Sequence, residues 1–222
     1  MPVSVDSLFS AAGLQGHGVV PWGTKVPIAR PGVYIVSWSS DASVAVVQKP
    51  LFQTSIAAFD ELLRVHPNLA VDGRTATLTS FSTRLASFWF PNEPVLYVGM
   101  AGTSLSHRVG QFRSTRLGAR SPHSGGWWLK MVDGFKETYI HFAESPSPDV
   151  AEQKILNYFR AAVEPSMVAN LHDAERIAPF ANVDVAKHLL KRHGLTNYMD
   201  RRTPKRSSAA TESGPSDFFH EG

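Results

Sequence analysis

The sequence predicts a mixed α/β chain, on three observations. Two apolar runs rich in β-branched and aromatic residues, "VYIVSW" (33–38) and "VLYVGMA" (95–101), are bounded by proline and glycine and read as strands. A third region, "WWLKMV" (127–132) and "ETYIHFAE" (137–144), reads as two further strands joined by "DGFK", with Asp133-Gly134 at the bend of a hairpin. Between and after these runs, apolar residues recur at helical spacing.

Taken in order, Ser4 caps a short helix through about Leu14, and "GHGVVPWGTKVPIARPG" reads as irregular or edge-strand chain. "ASVAVVQ" (42–48) reads as another strand. "TSIAAFDELLRVHP" carries Ile56, Phe59, Leu62 and Leu63 on one helical face and stops at Pro67. "LTSFSTRLASFWF" repeats the pattern with Leu78, Phe81, Leu85 and Phe88, a stripe suited to helix packing. Thr103 or Ser104 caps "LSHRVGQFRSTRLG", and "ARSPHSGG" is loop by composition. "DVAEQKILNYFRAAV" is an amphipathic helix with Asp149 and Glu152 near its start. A last helix follows Asn182, and residues 200–222 form a basic and polar tail without periodicity, expected to be disordered.

At 222 residues the chain has room for one principal core. The division is an extension (1–30), a main domain (31–199) with an α-rich insertion at about 39–94, and the tail. No apolar run reaches spanning length, and the first residues lack a secretory leader, so an intracellular, cytoplasmic protein without a membrane partner is expected. The absence of cysteine excludes disulfides, thiolate metal sites and cysteine nucleophiles. A net charge of +3 says little by itself about nucleic acid. Its placement says more: Arg108, Arg113, Arg116, Arg120 and Lys130 share a segment free of acids, and acids gather between Asp133 and Glu152.

"GVY" at 32–34, "YVG" at 97–99, an arginine in the helix after the second tripeptide and a glutamate in a later helix together resemble the GIY-YIG nuclease family. Tyr34 stands in the first motif and Tyr97 in the second. Arg108 in "LSHRVGQF" matches the family's arginine, and Glu152 in "DVAEQKIL" its metal-binding glutamate. Asn182 in "PFAN" matches its late asparagine, with Asn170 in "MVAN" as a competing match. The likeness implies an α+β fold, a small and mainly antiparallel sheet flanked by helices. About sixty residues separate the two tyrosine motifs here, where the family has a short hairpin, which marks the insertion.

The chemistry the resemblance implies is hydrolysis of DNA phosphodiester bonds. Glu152 would hold a single Mg²⁺ or Mn²⁺ through a hard oxygen, with water and phosphate completing the shell. Arg108 would clamp a non-bridging phosphate oxygen, while Tyr34 and Tyr97 position or deprotonate the attacking water, their acidity raised by Arg108 and the metal. Alone, Glu152 is an ordinary acid in a helix's first turns and Asn182 an ordinary helix cap. Many family members carry His or Tyr one helical turn after the arginine; Phe112 stands here, and it has no proton to exchange. His107 is expected to point elsewhere, and His123, in the glycine-flanked loop, is the candidate substitute. Specificity would come from the insertion and from "AKHLLKRH", in a restriction or mobile-element role. A double-strand cut would need a homodimer or sequential nicking. The competing reading is a nucleic-acid-binding module on the same scaffold with weakened catalysis, for which Phe112 argues.

Overall fold

The computed structural model describes residues 2–16, 18–123, 126–186 and 189–200. The fold is α+β. Helix α1 (Val5–Ala11) is capped by Ser4, whose hydroxyl accepts the Ser7 N–H. Strands β1 (Gly18–Pro21) and β2 (Gly32–Ser37) follow, then α2 (Ile56–Val65), the short pair β3 (Ala70–Val71) and β4 (Arg74–Thr75), and α3 (Leu78–Ala86). Next come β5 (Val95–Ala101), α4 (Leu105–Ser114), β6 (Tyr139–Glu144), α5 (Pro148–Ala162) and α6 (Pro165–Val168). Strands β7 (Asp184–Ala186), β8 (Leu189–Leu190) and β9 (Leu195–Thr196) close the described chain.

The main sheet is antiparallel throughout, in the order β1-β6-β2-β5. Every residue of β2 is buried, because both faces of the sheet are covered. Val33 and Ile35 face one layer with Phe9, Ile155 and Phe159 from α1 and α5. Tyr34 and Val36 face the other, with Tyr97, Phe112, Trp128 and the insertion's Phe59, Leu62, Phe81 and Leu85. The insertion thus shares the core that contains the two tyrosines. The extension is integrated as well, with β1 as the outer strand on β6.

Two glycines permit this register. A Cβ on Gly32 would lie 2.2 Å from the Ala143 carbonyl oxygen and 2.7 Å from Leu105 Cδ1. Gly99 lies opposite Tyr34 across the ladder, and a Cβ there would lie 2.7 Å from the Tyr34 Cζ and hydroxyl oxygen. The Tyr34 ring therefore lies across a strand position that has no side chain.

Three expected elements differ. "WWLKMV" is a 3-10 turn at Trp127–Met131 rather than a strand, and Asp133-Gly134 leads into a second at Phe135–Glu137 rather than a hairpin. Trp127, Trp128, Leu129 and Met131 are all buried, and a short continuous apolar run does not by itself distinguish strand from buried helical turn. "ASVAVVQ" forms no strand: both edges of the main sheet lie elsewhere, and Val46 is 55% exposed. The expected helix after Asn182 is replaced by the β7-β8 pair. Val183 and Val185 are buried and Asp184 is exposed, a period of two. The tail, from 201 onward, lies outside the described residues.

Glu93 joins the N-terminal segment to the start of β5. Its carboxylate accepts the N–H of Val3 at 3.0 Å and of Val95 at 3.1 Å, and burial raises its pKa to about 8. A raised carboxyl pKa favours the folded state fully below the unfolded value near 4.5, and that contribution disappears as pH rises through about 8. Between pH 5 and 8.5 the wild type is therefore expected to lose on the order of 3–5 kcal/mol relative to Glu93→Gln. Urea titrations of both proteins at each pH measure the difference; parallel pH profiles would show that Glu93 is ionised at neutral pH.

Candidate active site

Helix α4 starts four residues after β5, with the Ser104 hydroxyl accepting the His107 N–H as its cap. Leu105, Val109 and Phe112 face the core. Arg108 flanks that stripe and Gln111 lies further round the helix, so both turn towards a cleft. That cleft, of about 540 Å³ between the end of β5, α4 and α5, is lined by Tyr97, Ser104, His107, Arg108, Gln111 and Glu152.

The Arg108 guanidinium donates to the Pro122 carbonyl at 3.2 Å and reaches the Gln111 Oε1 at 3.5 Å. Gln111 then has its amide nitrogen free to donate to His107 Nε2, 2.7 Å away. His107, expected to point elsewhere, in fact faces the same cleft as Arg108, one helical turn before Gln111. Its i, i+4 spacing to Gln111 was the available sequence signal.

Tyr34 lies directly behind Tyr97. Their ring centroids are 5.9 Å apart, and Tyr34 is fully buried. Behind Tyr34, His123 Nε2 lies 3.0 Å from the Tyr34 hydroxyl. The imidazole stacks on Phe112 at 4.4 Å and 14°, and its backbone N–H is held by the Thr115 hydroxyl at 3.2 Å. Phe112 is a core residue with Tyr97 at 5.0 Å and Trp22 at 5.3 Å. A row of polar groups thus runs from the cleft wall inward: Tyr97, then Tyr34 beside it, then His123 hydrogen-bonded to Tyr34.

The electrostatics differ from those expected for the tyrosines. Burial raises the pKa of both phenols, and for Tyr97 the nearby Glu152 adds to it; Arg108 opposes the shift without reversing it. Neither phenol is a standing phenolate in the protein alone. Burial also raises Glu152, to about 7, helped by Asp184 and Asp149 and opposed by Arg108. A carboxyl held among other acids at a cleft wall fits a hard divalent cation, which would favour its ionised form. Among the described residues no group of three or more His, Asp or Glu is arranged to hold a metal; Glu152 is the residue that would hold such a cation, with water and phosphate oxygens completing its shell.

Asn182 is placed differently from the other predicted site residues. Its Oδ1 accepts the Val98 N–H and its Nδ2 donates to the Val98 carbonyl, both at 2.8 Å. With Ala181 N–H bonded to the Leu96 carbonyl, this segment covers the outer edge of β5 beside Tyr97. Asn182 is buried away from the cleft lining, and its role is to position that strand. Asn170, the competing match, is exposed and donates to the Ser166 carbonyl within its own turn.

The basic segment is partly committed to structure. Arg113 donates to the Trp22 and Thr24 carbonyls, and Lys130 to those of Arg113 and Thr115 at the end of α4. Among the described residues no helix is long and apolar enough to cross a membrane. No family model, curated protein or solved structure matches this chain.

Proposed function

We propose that the protein is a metal-dependent endonuclease that hydrolyses DNA phosphodiester bonds, acting in the cytoplasm in a restriction-like or mobile-element setting. The observation that carries this reading is the convergence of Tyr97, Arg108 and Glu152 on one open cleft, with Tyr34 and His123 hydrogen-bonded in a row behind it. Arg108, held by Pro122 and Gln111, would bind a non-bridging phosphate oxygen with the remaining donors of its fork. Glu152 would hold Mg²⁺ or Mn²⁺, which when bound supplies charge neutralisation at the phosphate.

The raised phenol pKa values favour a relay over a phenolate base. An attacking water would pass its proton to the Tyr97 oxygen as Tyr97 passes its own to Tyr34, and Tyr34 its own to His123 Nε2. Neither tyrosine accumulates charge, and His123 holds the proton away from solvent. His123→Gln retains an acceptor for Tyr34 but takes up no proton. Its nicking rate is expected to fall about 100-fold with DNA affinity kept; an unchanged rate would eliminate the relay.

The experiment for the function itself is incubation of supercoiled plasmid with the purified protein in Mg²⁺, Mn²⁺ or EDTA. Nicked circles with either cation and none in EDTA are expected, and a linear product formed without a nicked intermediate would indicate a homodimer. The second reading, a binding module with little turnover, is favoured by one observation: His123 is 3% exposed and lies behind the tyrosines, not in the cleft. DNA binding without cutting in any metal would establish that reading instead.

A further inference from the structure

A second cluster of basic side chains lies outside the cleft, where three separated parts of the chain meet. Arg116 and Arg120 project from the loop after α4. Arg116 donates to the Asp200 carboxylate at 2.7 Å, and Arg120 Nε donates to the Asp200 backbone carbonyl. The Asp200 N–H in turn donates to the Gly118 carbonyl at 2.8 Å. Tyr198, two residues earlier, stacks on Trp127 at 5.1 Å and 19°, anchoring the arm that delivers Asp200.

The third contributor is His66, which ends α2 in the insertion. Its side chain is 10% exposed, and its Nε2 is buried without a hydrogen-bond partner. That nitrogen is 3.9 Å from the Asp200 carboxylate, beyond hydrogen-bonding range. The approach of the ring requires glycine at 118, since a Cβ there would lie 1.9 Å from His66 Nε2. One arginine on the Asp200 carboxylate, a second on its backbone carbonyl and a buried, unsatisfied imidazole nitrogen thus surround Asp200, whose carboxylate is hydrogen-bonded by Arg116 alone of the three.

We propose that His66, Arg116 and Arg120 form a binding site for a nucleic-acid backbone phosphate, and that Asp200 occupies it as an internal competitor. The proposal rests on the DNA reading above and extends it to the insertion. A carboxylate offers two oxygens in one plane, whereas the two non-bridging oxygens of a phosphodiester sit on a tetrahedral phosphorus, so that one can accept from Arg116 while the other is turned towards His66, with Arg120 adding charge beside them. Arg116 and Asp200 are 54% and 40% exposed in their side chains, so their ion pair is weak enough to be exchanged for a phosphate. Loop 115–123 also carries Pro122, whose carbonyl holds Arg108. The site therefore lies on the same chain segment that positions the cleft's arginine.

The test is fluorescence anisotropy of a labelled duplex in EDTA, where no cutting occurs. Asp200→Ala and Asp200→Asn, each checked by melting temperature, are expected to bind about fivefold tighter than wild type at low salt. The log–log salt slope should steepen by about 1 for the phosphate gained. Adding Arg116→Gln or His66→Gln to Asp200→Ala should abolish or reduce that gain. Unchanged or weaker binding by both folded Asp200 variants overturns the proposal while leaving the nuclease reading intact. A duplex bound by none of the proteins overturns both. Inorganic phosphate in a parallel arm distinguishes the ligand: if it raises the melting temperature of Asp200→Ala and the duplex shows no gain, the site takes free phosphate and the nucleic-acid assignment falls.

Discussion

Arg108→Ala is expected to lower the rate of plasmid nicking by about 10³-fold at saturating DNA, with duplex affinity changed by less than about threefold. The asymmetry follows from the position of the guanidinium. Arg108 lies within the cleft with Tyr97 and Glu152, and Pro122 and Gln111 hold it in place before substrate arrives. Such a preorganised donor acts most strongly where charge develops on the phosphate oxygens. Affinity instead comes from many distributed phosphate contacts. Arg108→Lys should recover only a fraction of the rate, since an ammonium on a flexible stem cannot reproduce the fork or its anchoring to two acceptors. Single-turnover rates alongside anisotropy measure the two quantities separately. A variant that binds weakly and cuts at the wild-type rate would make Arg108 a binding residue only.

Gly99→Ala is expected to destabilise the fold by about 2–4 kcal/mol and to abolish nicking. The new Cβ would meet the Tyr34 ring and hydroxyl at 2.7 Å and Tyr97 Cε1 at 2.8 Å. Neither ring has space to move. Tyr34 is fully buried with Phe112 at 6.4 Å and His123 at its hydroxyl, and Tyr97 has Phe112 at 5.0 Å. Relief of the contact must either shift β5 against β2 or displace Tyr34 from His123. The first lowers stability, and the second removes the Tyr34–His123 hydrogen bond on which the proposed relay depends. Urea denaturation gives the stability change, and the nicking assay on the folded fraction gives the rest. An unchanged midpoint with normal cutting would show that the two rings are more loosely held than this packing implies.

The parts of the fold legible in the sequence were those with strong local signals. β2 and β5 are short β-branched runs stopped by glycine and proline, and α2, α3, α4 and α5 carry apolar stripes with capping residues at three of their starts. What was not legible depended on tertiary partners. The "WWLKMV" run becomes a buried 3-10 turn because its side chains are enclosed together, and β1, a weak strand by composition, gains its place by pairing with β6. Asn182 reads as a helix cap from its neighbours, yet its amide is taken by Val98, 84 residues away.

The candidate site divides in the same way. Tyr34, Tyr97, Arg108 and Glu152 are the candidates that a resemblance in short local tripeptides and helices singled out, and the ladder between β2 and β5 brings the tyrosines together despite the insertion. His123 was nameable from its loop, but its hydrogen bond to Tyr34 depends on Phe112 serving as a stacking surface. His107 was misassigned because helical angle alone neglects the reach of the side chain and the bridging Gln111. The basic cluster at Asp200 has no sequence signature, since its parts come from three distant stretches of the chain, at His66, at Arg116 and Arg120, and at Asp200.

The most direct test of a metal-dependent nuclease is one paired measurement on Glu152→Gln: duplex binding and plasmid nicking in Mg²⁺, in the same buffer as wild type. The account predicts binding within about threefold of wild type, with nicking reduced by at least about 10³-fold. Glutamine keeps the shape of the side chain and removes the charge that would hold the cation. Nicking at the wild-type rate by the folded variant would contradict the account, because Glu152 is the only carboxylate among the described residues that lines the cleft.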